Sequence, residues 1–566
     1  MWESKGDNDS AESQKNEYSQ EIQTSPQVLH EEGVELHRGL KARHITMIAI
    51  GGAIGTGLII GTGSALAKAG PASVLISYAV VGFIVWIVMC SLGEMAAWIP
   101  LPSGFTGYAT RFCDPALGFA LGYSYYCKYI IITPNQLTAA ALVLQYWVPR
   151  ERVNPGVWIT VFLVVIVAIN YFGVRFFGEF EFVLSSFKII VIIGLILLSL
   201  ILALGGGPDH DRKGFRYWKD PGAFKPYIEE GDAGRFLGFW STMVTATFAY
   251  LGTELVGVTV GEAQNPRKTI PRAIKLTFYR ILFFYVLSSF LLGMNVPYNS
   301  EELAFANESD NKNSASASPF VVAIKLAGIP HLPGIINGAI LLFVFSAANS
   351  DLYIATRTIY GLSREGNAPK ILSRTDSRGV PIYSLALSTL FCLLAYMNVS
   401  DDSKTVFGYF VNLVTIFGLL TWISLLVTHI YFVRARRAQN VPVESMAYTA
   451  PLGLPGSYFA LAFCILVALT KNYDVFVHNP ETYGNFDHKN FITAYLGIPL
   501  YLIAIFGYKF VTKTKGIPPE EADIWTGKEQ VDREEAEYLA RQAAKKKSEE
   551  MKKANWFYRV FVSWLF

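Results

Sequence analysis

Long apolar runs, separated by short polar connections, fill the chain from about residue 45 to residue 511. A helix that crosses a bilayer needs about 20 predominantly apolar residues, so the pattern predicts twelve transmembrane helices, named spans one to twelve. Their expected ranges are 45–67, 72–98, 115–147, 156–174, 180–204, 235–261, 278–297, 333–356, 381–398, 406–432, 455–471 and 492–511. We therefore expect an all-α polytopic membrane protein.

Polar segments flank this membrane domain on both sides. The arm at 1–44 is acidic over most of its length and rich in Ser, Gln and Asn, a composition typical of disorder. The tail at 512–566 has mixed charge.

The composition excludes several other classes of protein. Only 16% of the 566 residues are charged, whereas soluble proteins carry about 25%. A disordered chain, a disulfide scaffold and most soluble multidomain enzymes are therefore excluded. The balance of 48 basic and 45 acidic residues gives no reason to expect nucleic acid as a partner. The five cysteines have no metal-like spacing, and we expect neither a metal site nor a cofactor.

Basic residues in the connections predict the orientation of the chain. The loops after spans six, eight and ten are basic, whereas those after spans seven and nine are acidic or balanced. Because cytoplasmic loops carry an excess of Lys and Arg, the even-numbered loops and both tails are expected in the cytoplasm. Two sequons, at Asn307 and Asn398, then fall on the outer face and are glycosylation candidates.

Span one contains four glycines between Gly51 and Gly57. Each glycine raises the cost of a helix by about 1 kcal/mol relative to alanine, which favours an unwound stretch. The alternative is close helix packing, because Gly51 and Gly55 form a small-xxx-small pair. A phosphate loop is not indicated, because no Gly-Lys-Ser/Thr follows.

Span six has a second interruption, Phe248-Ala-Tyr-Leu-Gly-Thr-Glu254, five helices after the first. Paired interrupted helices in corresponding positions mark the substrate site of inverted-repeat transporters. Their freed N–H and C=O groups must line a cavity or meet a solute, and a zwitterionic amino acid offers one charge to each kind of group. The predicted carboxylate-binding residues are Ile54, Gly55, Thr56 and Gly57, and the predicted ammonium-binding residues are Ala249, Tyr250 and Gly252.

We interpret three ionisable residues as lying well inside spans, where a charge costs at least about 2.5–3.5 kcal/mol and therefore marks a functional candidate. Lys128 in span three either extends to the membrane surface or faces an anionic substrate side chain, with Asn135 and Gln136 as hydrogen-bond donors. Glu254 either bonds to the unwound backbone of span one or carries a proton. Lys188 in span five either forms a structural pair or takes part in proton coupling. By contrast, we interpret Glu94 and His429 as structural, with Glu94 fixing a loop.

The sequence resembles the fungal amino-acid permeases of the amino acid–polyamine–organocation superfamily. The matching segments include the run from Arg38 to Gly57, Gly93-Glu-Met-Ala96, Phe248-Ala-Tyr-Leu-Gly-Thr-Glu254 with Glu262-Ala-Gln-Asn-Pro-Arg-Lys268, Ser346-Ala-Ala-Asn-Ser350 and Gly366-Asn-Ala-Pro-Lys370. The resemblance implies a five-plus-five inverted repeat with discontinuous helices one and six, and proton-driven uptake at the plasma membrane. The two repeats are then expected at about 45–204 and 235–432, followed by two extra helices at about 455–511.

Within that family, the chain most resembles the dicarboxylic (glutamate/aspartate) permeases. The similarity lies in Lys128 with Thr133-Pro-Asn-Gln-Leu-Thr-Ala-Ala140, and in Phe177-Gly-Glu-Phe-Glu-Phe182. Broad-range relatives usually carry Pro-Leu-Glu in span three and a neutral residue in place of Lys128. Gln136 in place of the acid, together with the added positive charge, favours an acidic substrate.

The resulting hypothesis is a proton-coupled importer of L-glutamate and L-aspartate, with a co-transported proton and no cofactor. The expected partners are these substrates, protons, membrane lipid, and ubiquitin-ligase machinery on the cytoplasmic tails, with Lys5 and Lys15 as candidate modification sites. One alternative is a neutral or broad-range permease of the same fold, and another is a non-transporting amino-acid sensor. An enzyme is not expected, because no catalytic constellation is present.

Overall fold

The computed structural model describes residues 55–101, 103–172, 174–255, 266–303, 318–400, 403–477 and 486–529, and most of 531–540. Within these residues the chain forms helices and no strand. The helices are α1 (Thr62–Ala69), α2 (Pro71–Trp98), α3 (Gly104–Phe112), α4 (Pro115–Leu144), α5 (Pro155–Phe172), α6 (Val174–Ala203), α7 (Gly231–Tyr250), α8 (Pro266–Arg280), α9 (Leu287–Asn295), α10 (Pro319–Leu326), α11 (Leu332–Arg364), α12 (Ile382–Cys392), α13 (Ser403–Ala438), α14 (Gly453–Thr470), α15 (His488–Tyr495) and α16 (Gly497–Thr512). The predicted arm at 1–44 lies outside the described residues.

Nine of the described helical segments are long and apolar enough to cross a bilayer, or ten if α15 and α16, bent by 42°, form one span. The expected all-α membrane fold is therefore confirmed. Spans one and six are not among the ten, because α1 has only 8 residues and α7, although 20 residues long, is not apolar enough. The count of twelve spans, the domain limits and the inverted repeat remain predictions.

Prolines set the beginnings of several helices. Pro71, Pro115 and Pro155 each occupy the first position of a long helix, where the missing N–H has no helical acceptor in any case. The Asp114 side chain also accepts a hydrogen bond from the amide of Ala116, at 2.8 Å, and so caps α4. Local sequence thus fixes where α4, the helix that carries Lys128, begins.

Helices α4 and α13 form the centre of the domain. In their most apolar windows, 83% of the residues of α4 and 78% of those of α13 are buried within the protein, against 33% for α5. α4 packs against both α11 and α13. Outer helices instead expose large apolar side chains such as Ile190 and Phe506, as expected for surfaces that face lipid. Polar side chains on α4 therefore lie in the protein interior.

Glu94 joins three elements at one end of the bundle. Its Oε2 accepts hydrogen bonds from the amide of Ala450, at 2.8 Å, and from Nε2 of His429 in α13, at 3.1 Å. The other ring nitrogen of His429 lies 2.8 Å from the hydroxyl of Ser457 in α14. These contacts support the predicted structural roles of Glu94 and His429, and through Ala450 they attach Glu94 to the loop before α14.

The segment after α16 packs on the ends of several helices. Trp98 and Gln439 donate side-chain hydrogen bonds to its backbone carbonyls, at 2.8 and 2.7 Å. Arg267 forms ion pairs with Asp532 and Glu535 of the same segment. Residues next to spans two, six and ten therefore lie on one face with this segment, as the basic loops predict. The assignment of that face to the cytoplasm remains a prediction.

Candidate functional site

Span six is interrupted where the sequence predicts. Helix α7 ends at Tyr250, Leu251 has an extended ψ of 143°, and Gly252 has a φ of +95°. Only glycine adopts this last conformation at little cost. The chain continues in turns, with the Thr253 amide donating to the Tyr250 carbonyl at 3.3 Å. The regular hydrogen-bond ladder is therefore broken beside Glu254.

Span one differs from its prediction over the described part. Ile54 lies outside the described residues, and Gly55 occupies a bend. Thr56 has helical angles, φ −58° and ψ −28°, and Gly57–Gly61 form a π-helical turn that leads into α1. The expectation of unwound backbone at Thr56 and Gly57 is thus wrong.

The physical reason is close packing between the two segments. A Cβ atom built on Gly57 would lie 2.4 Å from the Cα atom of Ala249 in α7. The glycine therefore allows direct backbone contact, which is the packing alternative for this position. The two segments predicted to hold the substrate do lie against each other. The Thr56 hydroxyl is buried and has no hydrogen-bond partner among the described residues.

Tyr250 is held by neighbouring aromatic side chains. Its hydroxyl donates to the Tyr78 carbonyl at 2.8 Å, and its ring stacks on Tyr285 with centroids 4.4 Å apart. The Tyr78 hydroxyl in turn donates to the Gly57 carbonyl at 3.3 Å. These contacts tie the end of α7 to α2 and to the start of span one.

Lys128 forms an ion pair with Glu254 in the centre of the protein. The ammonium of α4 bonds Glu254 Oε1, and the two side chains are 0% and 1% exposed. The ammonium also lies 4.6 and 5.1 Å from the ring centroids of Tyr129 and Tyr125, within cation–π range. This burial rules out extension of Lys128 to the membrane surface. Its neutralising acid comes from span six.

The Glu254 carboxylate also binds the broken backbone. The Gly252 amide lies 3.3 and 3.2 Å from its two oxygens, and the Trp422 indole nitrogen lies 3.5 Å from Oε2. Among the described residues, Glu254 thus bonds the interruption in span six rather than span one. The Gly252 N–H at the break therefore already has a hydrogen-bond acceptor, the carboxylate of Glu254.

A second buried ion pair lies between Lys188 and Glu181 of α6. Their charged atoms are 3.7 Å apart. Glu181 also accepts hydrogen bonds from the hydroxyls of Ser346 in α11, at 3.0 and 2.9 Å, and Ser185, at 3.1 Å. The structural alternative for Lys188 is therefore realised, while its part in proton coupling remains a prediction.

The two amides of α4 have different surroundings. Gln136 donates from Nε2 to Asp351 Oδ2 of α11 at 3.1 Å, while its Oε1 has no partner among the described residues. Asn135 is fully buried, and neither of its amide atoms has a partner in the same set. A buried polar group without a partner costs about 1–3 kcal/mol. Asn135 therefore has hydrogen-bonding capacity that a solute can use.

A comparison with known families identifies the chain. The amino acid permease family model matches residues 44–516. The chain belongs to the amino acid permease family. This permease is therefore a multi-pass membrane protein, and the family resemblance of the sequence is confirmed.

Several curated relatives cover most of the permease. It is 55% identical to the dicarboxylic amino acid permease of Saccharomyces cerevisiae, over 95% of this chain and 88% of that one. It is 46% identical to an uncharacterized amino-acid permease of Schizosaccharomyces pombe, over 88% and 93% of the two chains. Identity to the basic amino-acid permease of S. cerevisiae is 40%, over 86% and 82%. Among solved structures, MHP1, a nucleobase-cation-symport-1 family transporter, aligns with a TM-score of 0.45 and 16% identity, over 87% and 96%.

Sequence reasoning missed three residues of the permease site. Glu181 and Asp351 are buried carboxylates, and Trp422 brings an indole N–H to Glu254. Asp351 had a usable signal, because it is an acid inside the predicted span 333–356. Glu181 stands at the edge of its predicted span, and an indole in an apolar run gives no signal.

The two predicted glycosylation sites have different outcomes. Asn307 lies outside the described residues. Asn398 is buried, and its Nδ2 donates to the Thr138 hydroxyl at 2.8 Å and to the Ala395 carbonyl at 2.7 Å. Glycosylation of Asn398 in the folded permease would require this amide to leave both contacts.

Proposed function

We propose that the permease imports L-glutamate and L-aspartate together with protons across the plasma membrane. The observation that carries this proposal is the fully buried ammonium of Lys128 beside the break in span six. A buried cation favours a substrate that brings an anionic side chain. The name of the S. cerevisiae relative, a dicarboxylic amino acid permease, supports the same substrate class.

In this proposal, the amino and carboxylate groups on the substrate's α-carbon bind between spans one and six. The contact between Gly57 and Ala249 supports that location, because it brings the two predicted segments together. Lys128 attracts the side-chain carboxylate, and the amides Asn135 and Gln136 donate hydrogen bonds to it. The open bonding capacity of Asn135 supports its role.

Proton coupling follows from the charge of the site. Glu254 already neutralises Lys128, so an acidic substrate brings one negative charge in excess. Uncompensated charge in a protein interior is costly, and one bound proton restores the balance. We propose that the proton binds within the buried network that includes Glu254 and Lys188. Coupling then exists to the extent that proton and substrate favour the same conformation.

The test is uptake of labelled L-glutamate by cells that express the permease and by matched cells that lack it. We expect unlabelled glutamate and aspartate to compete, neutral and basic amino acids to compete weakly, and a protonophore to abolish accumulation. Equal competition by proline or lysine would favour a broad-range permease. Binding without uptake would favour a sensor.

Lys128→Met tests directly whether the buried ammonium of Lys128 recognises the substrate. Loss of a charged hydrogen bond of about 1.5–3 kcal/mol corresponds to a weakening of glutamate affinity by about 10- to 150-fold. Lys325→Met is the control, because Lys325 forms a partly exposed pair with Glu302, with side chains 15% and 41% exposed. This variant should leave uptake near wild type. Unchanged discrimination against neutral amino acids in a surface-expressed Lys128→Met variant would remove Lys128 from substrate recognition.

Regulation through the tails is a further proposal. Ubiquitin-ligase machinery is expected to modify tail lysines, and the candidates Lys5 and Lys15 lie outside the described residues. Substitution of both by arginine would slow removal from the cell surface if they are the modified sites.

A further inference from the structure

Asp351 differs from the other buried carboxylates near the site. The two ion pairs described above use the lysines of α4 and α6 and two of the three carboxylates. Asp351 of α11 is also buried, yet it has no cation within ion-pair distance among the described residues. Its hydrogen-bond partner is the Gln136 amide nitrogen, at 3.1 Å. A proton at Asp351 therefore changes a hydrogen bond without breaking an ion pair.

Of the two polar atoms in the Gln136 side-chain amide, only the nitrogen has a hydrogen-bond partner among the described residues. Nε2 donates to Asp351, while Oε1, although buried, has no partner among the described residues. A carboxylate accepts hydrogen bonds only, whereas a carboxylic acid also donates one. When Asp351 is charged, Gln136 must turn its NH₂ group toward it. When Asp351 is protonated, its O–H can donate to Oε1 after the amide rotates by half a turn.

We infer that Asp351 and Gln136 form a proton-operated switch that prepares the site for an acidic side chain. Rotation of the amide moves its NH₂ group to the position now held by Oε1, and the NH₂ group then donates to the side-chain carboxylate of the substrate. One proton from the outer solution binds a carboxylate oxygen of Asp351 and leaves from it after the substrate dissociates. The inference rests on the proposed function and names the proton-binding member of the buried network.

Charged and titratable groups face Asp351 from two neighbouring helices. They are Lys128, Tyr125 and Tyr129 of α4, and Lys188 and Glu181 of α6. Helices α5 and α12, which also pack on α11, contain no charged residue. Helix α10 and the turn Lys370–Ser373 pack on α11 as well, but Lys325 of α10 pairs with Glu302, and Lys370 is exposed. Lys128 and Lys188 are each paired with another acid, so Asp351 experiences both at longer range.

The experiment measures binding of labelled L-glutamate to purified full-length permease in lipid nanodiscs at pH 5.5 and pH 7.5. One linked proton can change affinity by at most about tenfold per pH unit, so we expect wild type to bind about 10- to 100-fold more tightly at pH 5.5. Asp351→Asn offers an N–H to Gln136 Oε1 at either pH, and its binding should be tight and independent of pH. Asp232→Asn, at a side chain that is 96% exposed, should keep the wild-type dependence.

Gln136→Met supplies a second test that keeps Asp351 in place. Without the amide, binding should be weak at both pH values, and the difference between them should disappear. A wild-type pH dependence in Asp351→Asn, or in Gln136→Met, would overturn this inference alone. Wild-type permease that binds neither glutamate nor aspartate at either pH would instead overturn the proposed function.

Discussion

The ion pair between Lys128 and Glu254 can be tested by removing each partner singly and then both together. Glu254→Gln preserves side-chain length and Lys128→Met shortens it by one atom, and each removes a charge. Both side chains are at most 1% exposed, so neither single variant allows water to solvate the remaining charge. Each single change is expected to lower the free energy of unfolding by about 3–5 kcal/mol, the range for removing one partner of a buried pair.

The double variant distinguishes a real pair from two independent effects. Independent sites would add to about 6–10 kcal/mol. In the double variant no buried charge is left alone, so the loss should be close to that of one single variant or smaller. The coupling free energy is then of the order of the single loss, about 3 kcal/mol or more. The side-chain amide oxygen introduced by Glu254→Gln would still accept the Gly252 N–H bond, which keeps the break in span six bonded.

The assay is unfolding of the purified variants in mixed lipid–detergent micelles, followed by intrinsic fluorescence. Lys325→Met in the partly exposed pair with Glu302 is the matched control, with an expected loss of about 1 kcal/mol or less. A double-variant loss equal to the sum of the single losses would refute the pairing. Single losses no larger than that of Lys325→Met would refute the argument from burial.

Two further changes test packing and the segment after α16. Gly57→Val should reduce uptake to below a tenth of wild type, because its Cβ meets the backbone of α7, whereas Gly194→Val in α6, where no described atom lies within 4 Å of an added Cβ, should stay near wild type. Arg267→Gln should speed protease cleavage of that segment. Despite partial burial, hydrogen bonds from Lys528 and Arg267 hold the pKa of Asp532 below its ordinary 3.8. This contact is therefore complete above that pH and lost only below it, so wild-type cleavage should not change between pH 5 and pH 8.

Local chemistry made much of the fold predictable. The lengths of the apolar runs and the prolines at helix starts determine where the long helices lie, as for Pro71 and Pro115. The break at Gly252 was predictable for a similar reason, because glycine permits the φ of +95° found there at little cost. These features depend on residues that are close together in the sequence, so they can be predicted without knowledge of the tertiary structure.

The partner of Lys128 could not be predicted in this way. Glu254 lies 126 residues away along the chain, and the sequence offers Glu181 and Asp351 as further buried acids. The cost of a lone buried charge predicts that each lysine needs a partner, but it does not choose among the acids. Only the packing of α4 against the break in span six and against α11 makes that choice.

The glycines of span one illustrate a different ambiguity. An absent side chain permits unwinding, and it equally permits close approach of another backbone. The structure shows close packing at Gly57, because the Cβ atom of any larger residue there would overlap with the backbone of Ala249. The sequence correctly indicated that the segments of Gly57 and Ala249 lie together. It did not give the distance between them, because that distance depends on tertiary packing.

The arrangement around Gly252 bears on why such a site would prefer an acidic amino acid. Its peptide N–H is bound by the Glu254 carboxylate, which also neutralises Lys128. A substrate that binds the Gly252 N–H or the Lys128 ammonium must displace the Glu254 carboxylate. Its affinity then depends on how much more strongly it binds these donors than Glu254 does. A neutral amino acid has only its α-carboxylate, which is proposed to bind between spans one and six. An acidic amino acid has a second carboxylate, which can take the place of the Glu254 carboxylate at Lys128. Selectivity for acidic substrates then follows because a neutral substrate cannot replace the charge of Glu254.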